Sequence, residues 1–116
     1  MGIARFEVGP RMSQAVKHGD TVYLAGQVAF DAPDQSVTNQ TENVLQRIDH
    51  FLEEAGTNKS KLLSATIWLS DISTFNEMNA VWESWIDLEN PPVRACVEAT
   101  LASPKFSVEI LVVAAA

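Results

Sequence analysis

The sequence predicts an α+β fold with a single domain over residues 1–116, in which six strands form a mixed sheet and two helices cover one of its faces. The length of 116 residues fits one hydrophobic core. Strand-like alternation and helix-like spacing follow one another in the order β-β-β-α-β-α-β-β. Two amphipathic helices can cover only one face of such a sheet. We therefore expect neighbouring subunits, arranged in a closed ring, to bury the other face.

The composition favours a globular protein that binds neither nucleic acid nor a membrane. Hydrophobic residues make up 47% of the chain and charged residues 20%, and no apolar run is long enough to cross a bilayer. The net charge of −7 repels phosphate backbones, and the lysines and arginines are scattered. The first six residues lack the hydrophobic region of a signal peptide, so we expect a cytoplasmic protein.

Residues that commonly bind metals or form disulfides are sparse. Cys96 is the only cysteine, which excludes an intrachain disulfide. We interpret His18 and His50 as exposed residues without a cysteine or carboxylate at ligand spacing, so no metal site is predicted. No glycine-rich phosphate loop is present, and no cofactor is expected.

The N-terminal quarter of the chain predicts three strands. Residues 3–8 alternate loosely between apolar and polar types and end at Gly9-Pro10. Residues 14–18 and 21–25 flank Gly19-Asp20, which predicts a two-residue hairpin with glycine at the first turn position.

Residues 38–55 predict the first helix, and Gly56 is suited to end it. Residues 63–70 then alternate between an apolar and a mixed set, which is typical of a strand. The apolar stripe of the helix is expected to face the sheet. It consists of Val44, Leu45, Ile48, Phe51, Leu52 and Ala55.

Residues 74–88 predict the second helix. Thr74 and Glu77 match a capping box, in which each side chain bonds the backbone N–H of the other. Asn79 lies one helical turn from both Phe75 and Trp82, at the edge of the apolar stripe.

The strand after Pro91-Pro92 carries an unusual polar pattern. Residues 94–99 alternate between an apolar set, which we expect to face the core, and a polar set. The polar set is Arg94, Cys96 and Glu98. Residues 107–113 predict the last strand, on which Glu109 lies among apolar residues. The uncovered sheet face is expected to carry a mixed set: Thr66, Trp68, Arg94, Cys96 and Glu109.

Arg94 and Glu109 are the leading candidates for chemistry. The planar guanidinium of Arg94 matches a carboxylate, either that of a small anionic substrate or that of Glu98 or Glu109 in a structural ion pair. A half-buried Glu109 would have a raised pKa and would suit a base acting on water. The alternatives are a salt bridge to Arg94 and a solvated edge position.

Cys96 and Asn79 are secondary candidates. Cys96 is either a nucleophile or, as its residue type favours, a small buried side chain that lines a wall. Asn79 would bond a ligand or a group across an interface, or else form a hydrogen bond at the helix edge.

An ordered set of short motifs then resembles a known family over nearly the whole chain. The motifs are Gly9-Pro10, Ser13-Gln14-Ala15-Val16, Gly19-Asp20, Ala25-Gly26-Gln27, Glu54-Ala55-Gly56, Met78-Asn79, Pro92-Val93-Arg94-Ala95-Cys96-Val97-Glu98 and Val108-Glu109-Ile110. Together they resemble the RidA (YjgF) family. Asn58-Lys59-Ser60, Ala65-Thr66-Ile67 and the tryptophans near Asn79 resemble its shorter YoaB-type branch.

The resemblance implies a fold similar to trimeric chorismate mutase, in which three sheets form a central barrel and clefts lie between subunits. It implies hydrolysis of reactive enamines and imines, such as 2-aminoacrylate, to 2-oxo acids and ammonia without a cofactor. By this resemblance Arg94 holds the substrate carboxylate and Glu109 positions the attacking water. Cys96, Asn79 and the backbone of Gly26 are implied to line the cleft.

Two positions depart from the family pattern. Met12 or Arg11 stands in the neighbourhood where the family often has a tyrosine, and Ala25 stands where it often has a serine. Both changes remove a hydroxyl from the implied cleft, which changes the substrates that a site accepts. An alternative function is therefore a non-catalytic trimer that binds a small carboxylate metabolite or a protein partner.

Overall fold

A computed structural model describes residues 2–116, which form one mixed sheet with both helices packed on the same face. Met1 lies outside the described residues. The helices are α1 (Val37–Glu54) and α2 (Phe75–Trp85). The strands are β1 (Ile3–Val8), β2 (Ser13–His18), β3 (Thr21–Leu24), β4 (Gln27–Val28), β5 (Leu62–Leu69), β6 (Val93–Glu98) and β7 (Val108–Ala115). Short 3₁₀ turns at Lys59–Lys61 and Ile72–Thr74 precede β5 and α2.

The strand order confirms the predicted mixed sheet. The strands lie in the order β1-β2-β3-β7-β5-β6, and β4 also pairs with β7. The parallel pair is β5 with β6, which α2 connects, and the remaining pairs are antiparallel. The two residues of β4 are too few to show an alternating pattern, which is why the sequence predicts six strands instead of seven.

The core lies between the sheet and the helices. The whole predicted stripe of α1 is buried there, which confirms the face assigned from helical spacing. Opposite the stripe, Ile67 of β5 and Ile110 of β7 are adjacent in register and fully buried. Burying apolar surface of this kind contributes about 25 cal/mol per Å², so this layer supplies much of the driving force for folding.

The predicted turn and helix ends are mostly confirmed. His18 pairs with Thr21, and Gly19 has φ +60°, as a two-residue hairpin requires. Gly56 has φ +83° directly after the C-cap of α1. The second helix is shorter than predicted, because Ile86 adopts an extended backbone with ψ 149°.

The predicted capping box at the start of α2 is wrong. The Thr74 hydroxyl donates to the carbonyl of Asp71, and no side chain caps α2 at Thr74. The Glu77 carboxylate instead accepts hydrogen bonds from the backbone N–H and the hydroxyl of Thr38, at 2.9 and 3.0 Å. Glu77 therefore joins the two helices, which a motif read along one helix cannot reveal.

The predicted orientation of β6 is also wrong. Ile67 has Cys96 as its partner on one side and Ile110 on the other, so these three side chains share the helix-covered face. Arg94, two residues from Cys96, lies on that face too. The apolar Val97 instead faces the open side and is 50% exposed. The error arises because β6 is an edge strand. Its polar side chains reach solvent beside α2, while its apolar side chains lie on the uncovered face of the sheet.

None of the helices within residues 2–116 is both long enough and apolar enough to cross a membrane.

Candidate functional site

Arg94 is held in place by uncharged groups. Its Nη1 donates to Oδ1 of Asn79 at 2.7 Å. The guanidinium carbon lies 5.7 Å from the ring centre of Phe75 and 5.5 Å from that of Trp82, both on α2. Cation–π contacts of this kind orient a guanidinium without neutralising its charge. Asn79 therefore lies at the edge of the apolar stripe of α2, as its spacing predicts, and accepts a hydrogen bond from Arg94 on the sheet.

Arg94 does not form the alternative structural ion pair with any carboxylate among residues 2–116. Neither Glu98 nor Glu109 brings an oxygen within 4.0 Å of the guanidinium. Glu98 instead accepts the backbone N–H of Ile72 at 3.0 Å. Because the hydrogen bond to Asn79 uses one of the five guanidinium N–H groups, the others can bind an anion.

Cys96 lies two residues from Arg94 on the same face of β6. It is half-buried and packs against the core. Burial raises the pKa of the Cys96 thiol above 9.0, and the charge of Arg94 offsets this only in part. A thiol that stays protonated near neutral pH is a poor nucleophile, so its surroundings favour the wall interpretation. We call Arg94, Asn79 and Cys96 the arginine half-site.

Glu109 lies on β7 against the main chain of Gly26. A Cβ atom at Gly26 would collide with Oε2 of Glu109 and would lie 3.1 Å from its Cδ. The absence of a side chain at Gly26 therefore allows the close approach of Glu109. Gly26 does not have a positive φ, so the backbone conformation is not the reason for a glycine here. Burial raises the pKa of the Glu109 carboxyl. Its sheet partners, Trp68 and Val28, are uncharged.

Ala25 and Met12 lie near the same end of the sheet. Ala25 is half-buried beside Gly26, and its N–H donates to the carbonyl of Gln14 at 2.9 Å. Met12 is 48% exposed in the turn between β1 and β2. We call Glu109, Gly26 and Ala25 the glutamate half-site, and Met12 belongs to neither half-site.

The two half-sites lie on opposite faces of one sheet. Cys96 and Ile110 flank Ile67, whereas Glu109 flanks Trp68, one residue further along β5. Successive side chains of a strand point to opposite faces. Arg94 therefore lies on the helix-covered side and Glu109 on the open side, and one subunit does not bring them together. The expectation that both lie on the uncovered face is wrong for Arg94 and Cys96.

The chain places a buried glutamine next to the glutamate half-site. The Gln27 side chain is fully buried, and its Nε2 donates to Oε1 of Gln14 at 2.8 Å and to the carbonyl of Ala25 at 3.2 Å. Its Oε1 accepts from Nε of Arg47 at 3.2 Å. Gln27 stands within the Ala25-Gly26-Gln27 motif of the sequence, but its role depends on partners distant in the chain, so no local signal predicts it.

His50 is exposed as predicted, but carboxylates lie close to it, which corrects the prediction that none stands at ligand spacing. Its Nε2 lies 2.9 Å from Oε2 of Glu7 and 3.4 Å from Oε2 of Glu54, one helical turn away. All three side chains are exposed, and their ligand atoms lie within 4.8 Å of one another, although the sequence predicts no metal site. Hydrogen bonding to the other two lowers the pKa of Glu7, whereas sharing a hydrogen bond with Glu7 raises that of Glu54. These contacts explain the cluster without an ion.

Known proteins resemble this chain over almost its full length. The family described as endoribonuclease L-PSP matches residues 3–116. The RutC family protein YoaB of Escherichia coli is 42% identical over 115 residues, which cover 99% of each chain. A RutC family protein of Haemophilus influenzae is 40% identical over 114 residues, 98% of each chain.

A solved structure gives the same result for the fold. A YjgF family protein from Neisseria meningitidis superposes with a TM-score of 0.92 at 40% identity, covering 99% of this chain and 95% of that one. The mixed sheet and the two helices on one face are thus shared with this relative. The chain belongs to the RidA (YjgF) family.

Proposed function

We propose that this protein is a cytoplasmic deaminase that hydrolyses reactive 2-enamines and 2-imines to 2-oxo acids and ammonia. The observation that carries the proposal is that Arg94 is held in one orientation without a carboxylate beside it. Its guanidinium is oriented by Asn79 and two aromatic rings and has no carboxylate within 4.0 Å in residues 2–116. An oriented cation without a counter-ion suits the carboxylate of a small substrate.

The chemistry needs few groups, because an imine carbon is already electrophilic. An enamine such as 2-aminoacrylate first becomes the imine when a proton moves from nitrogen to carbon. Water then attacks the imine carbon, and Glu109 accepts a proton from that water. The proton passes to the nitrogen, which gives the carbinolamine. The hydroxyl proton of the carbinolamine then moves to the nitrogen, and the C–N bond breaks as the C=O bond of the 2-oxo acid forms, so ammonia leaves with the electron pair of the broken bond. Positioning by Arg94 and proton transfer by Glu109 account for this sequence without a cofactor.

The site requires two subunits in this proposal. Arg94 and Glu109 lie on opposite faces of one sheet, so the arginine half-site of one subunit would face the glutamate half-site of the next. The open face supports such packing, since Tyr23, Val93 and Val97 on it are 49%, 73% and 50% exposed. Apolar surface of this extent favours association. A closed homotrimer, as the family resemblance implies, would bury the open face of each of the three sheets in the same way.

RNA is a poor substrate for this chain despite the wording of the family description. The net charge is −7, and the eight lysines and arginines form no basic stripe in the sequence. Incubation with a mixed-sequence RNA should leave it intact at low salt, where electrostatic binding is strongest. RNA cleavage that copurifies with the wild-type protein and is lost in Arg94→Ala would contradict this part of the proposal.

The second candidate function is a non-catalytic trimer that binds a small carboxylate metabolite or a protein partner. Met12 and Ala25 favour it, because neither offers a hydroxyl to the proposed cleft. It predicts saturable binding that requires Arg94 and is indifferent to Glu109. Turnover that depends on Glu109 excludes it as the main role.

The test generates 2-aminoacrylate from serine with a pyridoxal-phosphate-dependent dehydratase and follows pyruvate formation. We expect the wild-type protein to accelerate pyruvate release over buffer and Arg94→Ala to abolish the acceleration. Arg94→Lys keeps the charge but loses the planar fork, and we expect it to recover only part of the activity. Lys105→Ala is the matched control, because it removes one exposed positive charge elsewhere. Equal rates for buffer, wild type and Arg94→Ala would refute the proposal.

A further inference from the structure

We propose that Gln27 is a positioning residue that fixes the glutamate half-site. Its amide holds the main chain of Ala25 and Gly26 in the position that brings it against the Glu109 carboxylate. This inference deepens the proposed deaminase function and rests on it for the kinetic part of its test. Its structural part concerns the surroundings of Glu109 and is independent of any activity.

The orientation of the Gln27 amide is fixed by its partners. The backbone carbonyl of Ala25 only accepts hydrogen bonds, and Nε of Arg47 only donates them. The side-chain NH₂ of Gln27 must therefore point to Ala25 and its oxygen to Arg47, at 3.2 Å each. The third bond, to Oε1 of Gln14 at 2.8 Å, follows from the same orientation. All hydrogen-bonding groups of the Gln27 amide thus have roles that cannot be exchanged by flipping it.

These bonds restrain both sides of one peptide segment. The N–H of Ala25 donates to the Gln14 carbonyl at 2.9 Å, and the Ala25 carbonyl accepts from Gln27 at 3.2 Å. Gly26 lies between Ala25 and Gln27 and carries no side chain that could restrain it. The Gln27 bond spans this glycine, so it limits the backbone freedom that glycine would otherwise have.

The restraint matters because Glu109 lies directly against Gly26. The Glu109 Cδ would be 3.1 Å from a Cβ at that position, which leaves no room for water between the carboxylate and the main chain. If the segment moved outward, water would reach the carboxylate. Release of this segment is therefore expected to hydrate Glu109, lower its pKa and misplace the water that it activates.

The chain offers a matched control for this idea. Gln40 is also fully buried, its Nε2 donates to the carbonyls of Gln35 and Lys105, and its Oε1 accepts the N–H of Ser107. It has no contact with the Ala25–Gly26 segment through these bonds. Gln27→Met and Gln40→Met remove the same amide with little change in volume and no change in charge. A merely structural role predicts that both variants behave alike.

The experiment measures the carboxyl pKa of Glu109 by NMR of glutamate side-chain carbons, together with kcat and KM at several pH values. We expect Gln27→Met to lower the Glu109 pKa, move the acid limb of kcat/KM to lower pH and reduce kcat about 10-fold to 100-fold. KM should change little, since Arg94 is untouched. Gln40→Met should lose thermal stability while it keeps the wild-type pKa and acid limb.

Each outcome separates the two proposals. A lowered Glu109 pKa in Gln27→Met without any deaminase activity in the wild type supports the positioning role and refutes the proposed function. Activity with an unchanged pKa and kcat in Gln27→Met refutes the positioning role alone. If Gln27→Met does not fold, Gln27→Asn provides the test, because it keeps an amide but its shorter side chain cannot make the bonds to both Ala25 and Arg47. It should shift the Glu109 pKa in the same direction by less, and no shift would refute the role.

Discussion

The arginine and glutamate half-sites are built in opposite ways. Arg94 lies on the edge strand β6, is exposed, and is oriented by side chains of α2. Glu109 lies on β7 inside the sheet, is half-buried, and is placed by the main chain of a glycine. The helix orients the cation through contacts that leave its charge available. The sheet instead holds the acid against the main chain of Gly26, where partial burial raises its pKa.

This difference assigns each half-site a separate task. An exposed, uncompensated cation is suited to capture an anion from solvent and to keep it throughout a reaction. A carboxyl with a raised pKa is suited to move protons near neutral pH. Arg94 should therefore contribute mainly to substrate binding, and Glu109 mainly to the chemical step.

The largest expected effects test that division directly. Arg94→Ala removes charge-assisted hydrogen bonds worth about 1.5–3 kcal/mol each, so two such bonds correspond to a loss of roughly 1000-fold in kcat/KM, chiefly through KM. Glu109→Gln removes the base and should lower kcat about 100-fold or more with KM nearly unchanged. Steady-state kinetics on 2-imino acids measure both.

The two half-sites do not have separate tasks if Arg94→Ala and Glu109→Gln change the same kinetic constant. That division of tasks also fails if the wild-type kcat/KM shows no acid limb. Glu109 must be ionised to accept a proton, so kcat/KM should rise with pH through its pKa, which burial places above the ordinary 4.5. Glu109→Gln should remove that limb from any residual activity.

A smaller effect is expected when Gly26→Ala disturbs the close approach. The new Cβ displaces the Glu109 carboxylate, which is the flexible end of a side chain and can swing into solvent. We expect kcat to fall about 10-fold to 100-fold and the acid limb to move to lower pH. Gly9→Ala is the control, because its Cβ would meet only the Met12 carbonyl at 3.5 Å, an ordinary contact.

The stability of Gly26→Ala provides an independent test with a defined sign. The folded-state pKa of Glu109 is raised, so its contribution to stability is present below the unfolded pKa and is lost as pH rises through the folded pKa. Hydrating the carboxylate relieves that loss. We therefore compare the thermal stability of Gly26→Ala with that of wild type at pH 4 and at pH 8. The difference between the two proteins should shift in favour of Gly26→Ala as the pH rises from 4 to 8. A variant that is uniformly less stable at both pH values would contradict the account.

The sequence predicts much of the fold because periodicity reports local geometry. The apolar stripe of α1 and the hairpin at Gly19 depend on neighbours along the chain, and both are confirmed. The orientation of β6 depends instead on its parallel pairing with β5, which no local pattern encodes. The roles of Glu77 and Gln27 depend on partners 39 and 20 residues away, Thr38 and Arg47, so a motif along one element could not give them.

The smallest expected effect concerns Cys96, which shares a strand face with Arg94 without sharing its task. Because burial raises the pKa of its thiol, Cys96 should react with iodoacetamide at pH 7.5 more slowly than free glutathione does. Cys96→Ala removes the sulfur and leaves the Arg94 contacts to Asn79 and the two rings in place. We expect kcat to stay within roughly threefold of wild type, as for a small side chain that lines a wall. A loss as large as that of Glu109→Gln, or alkylation faster than glutathione, would instead make the thiol a nucleophile and give the arginine half-site a chemical task of its own.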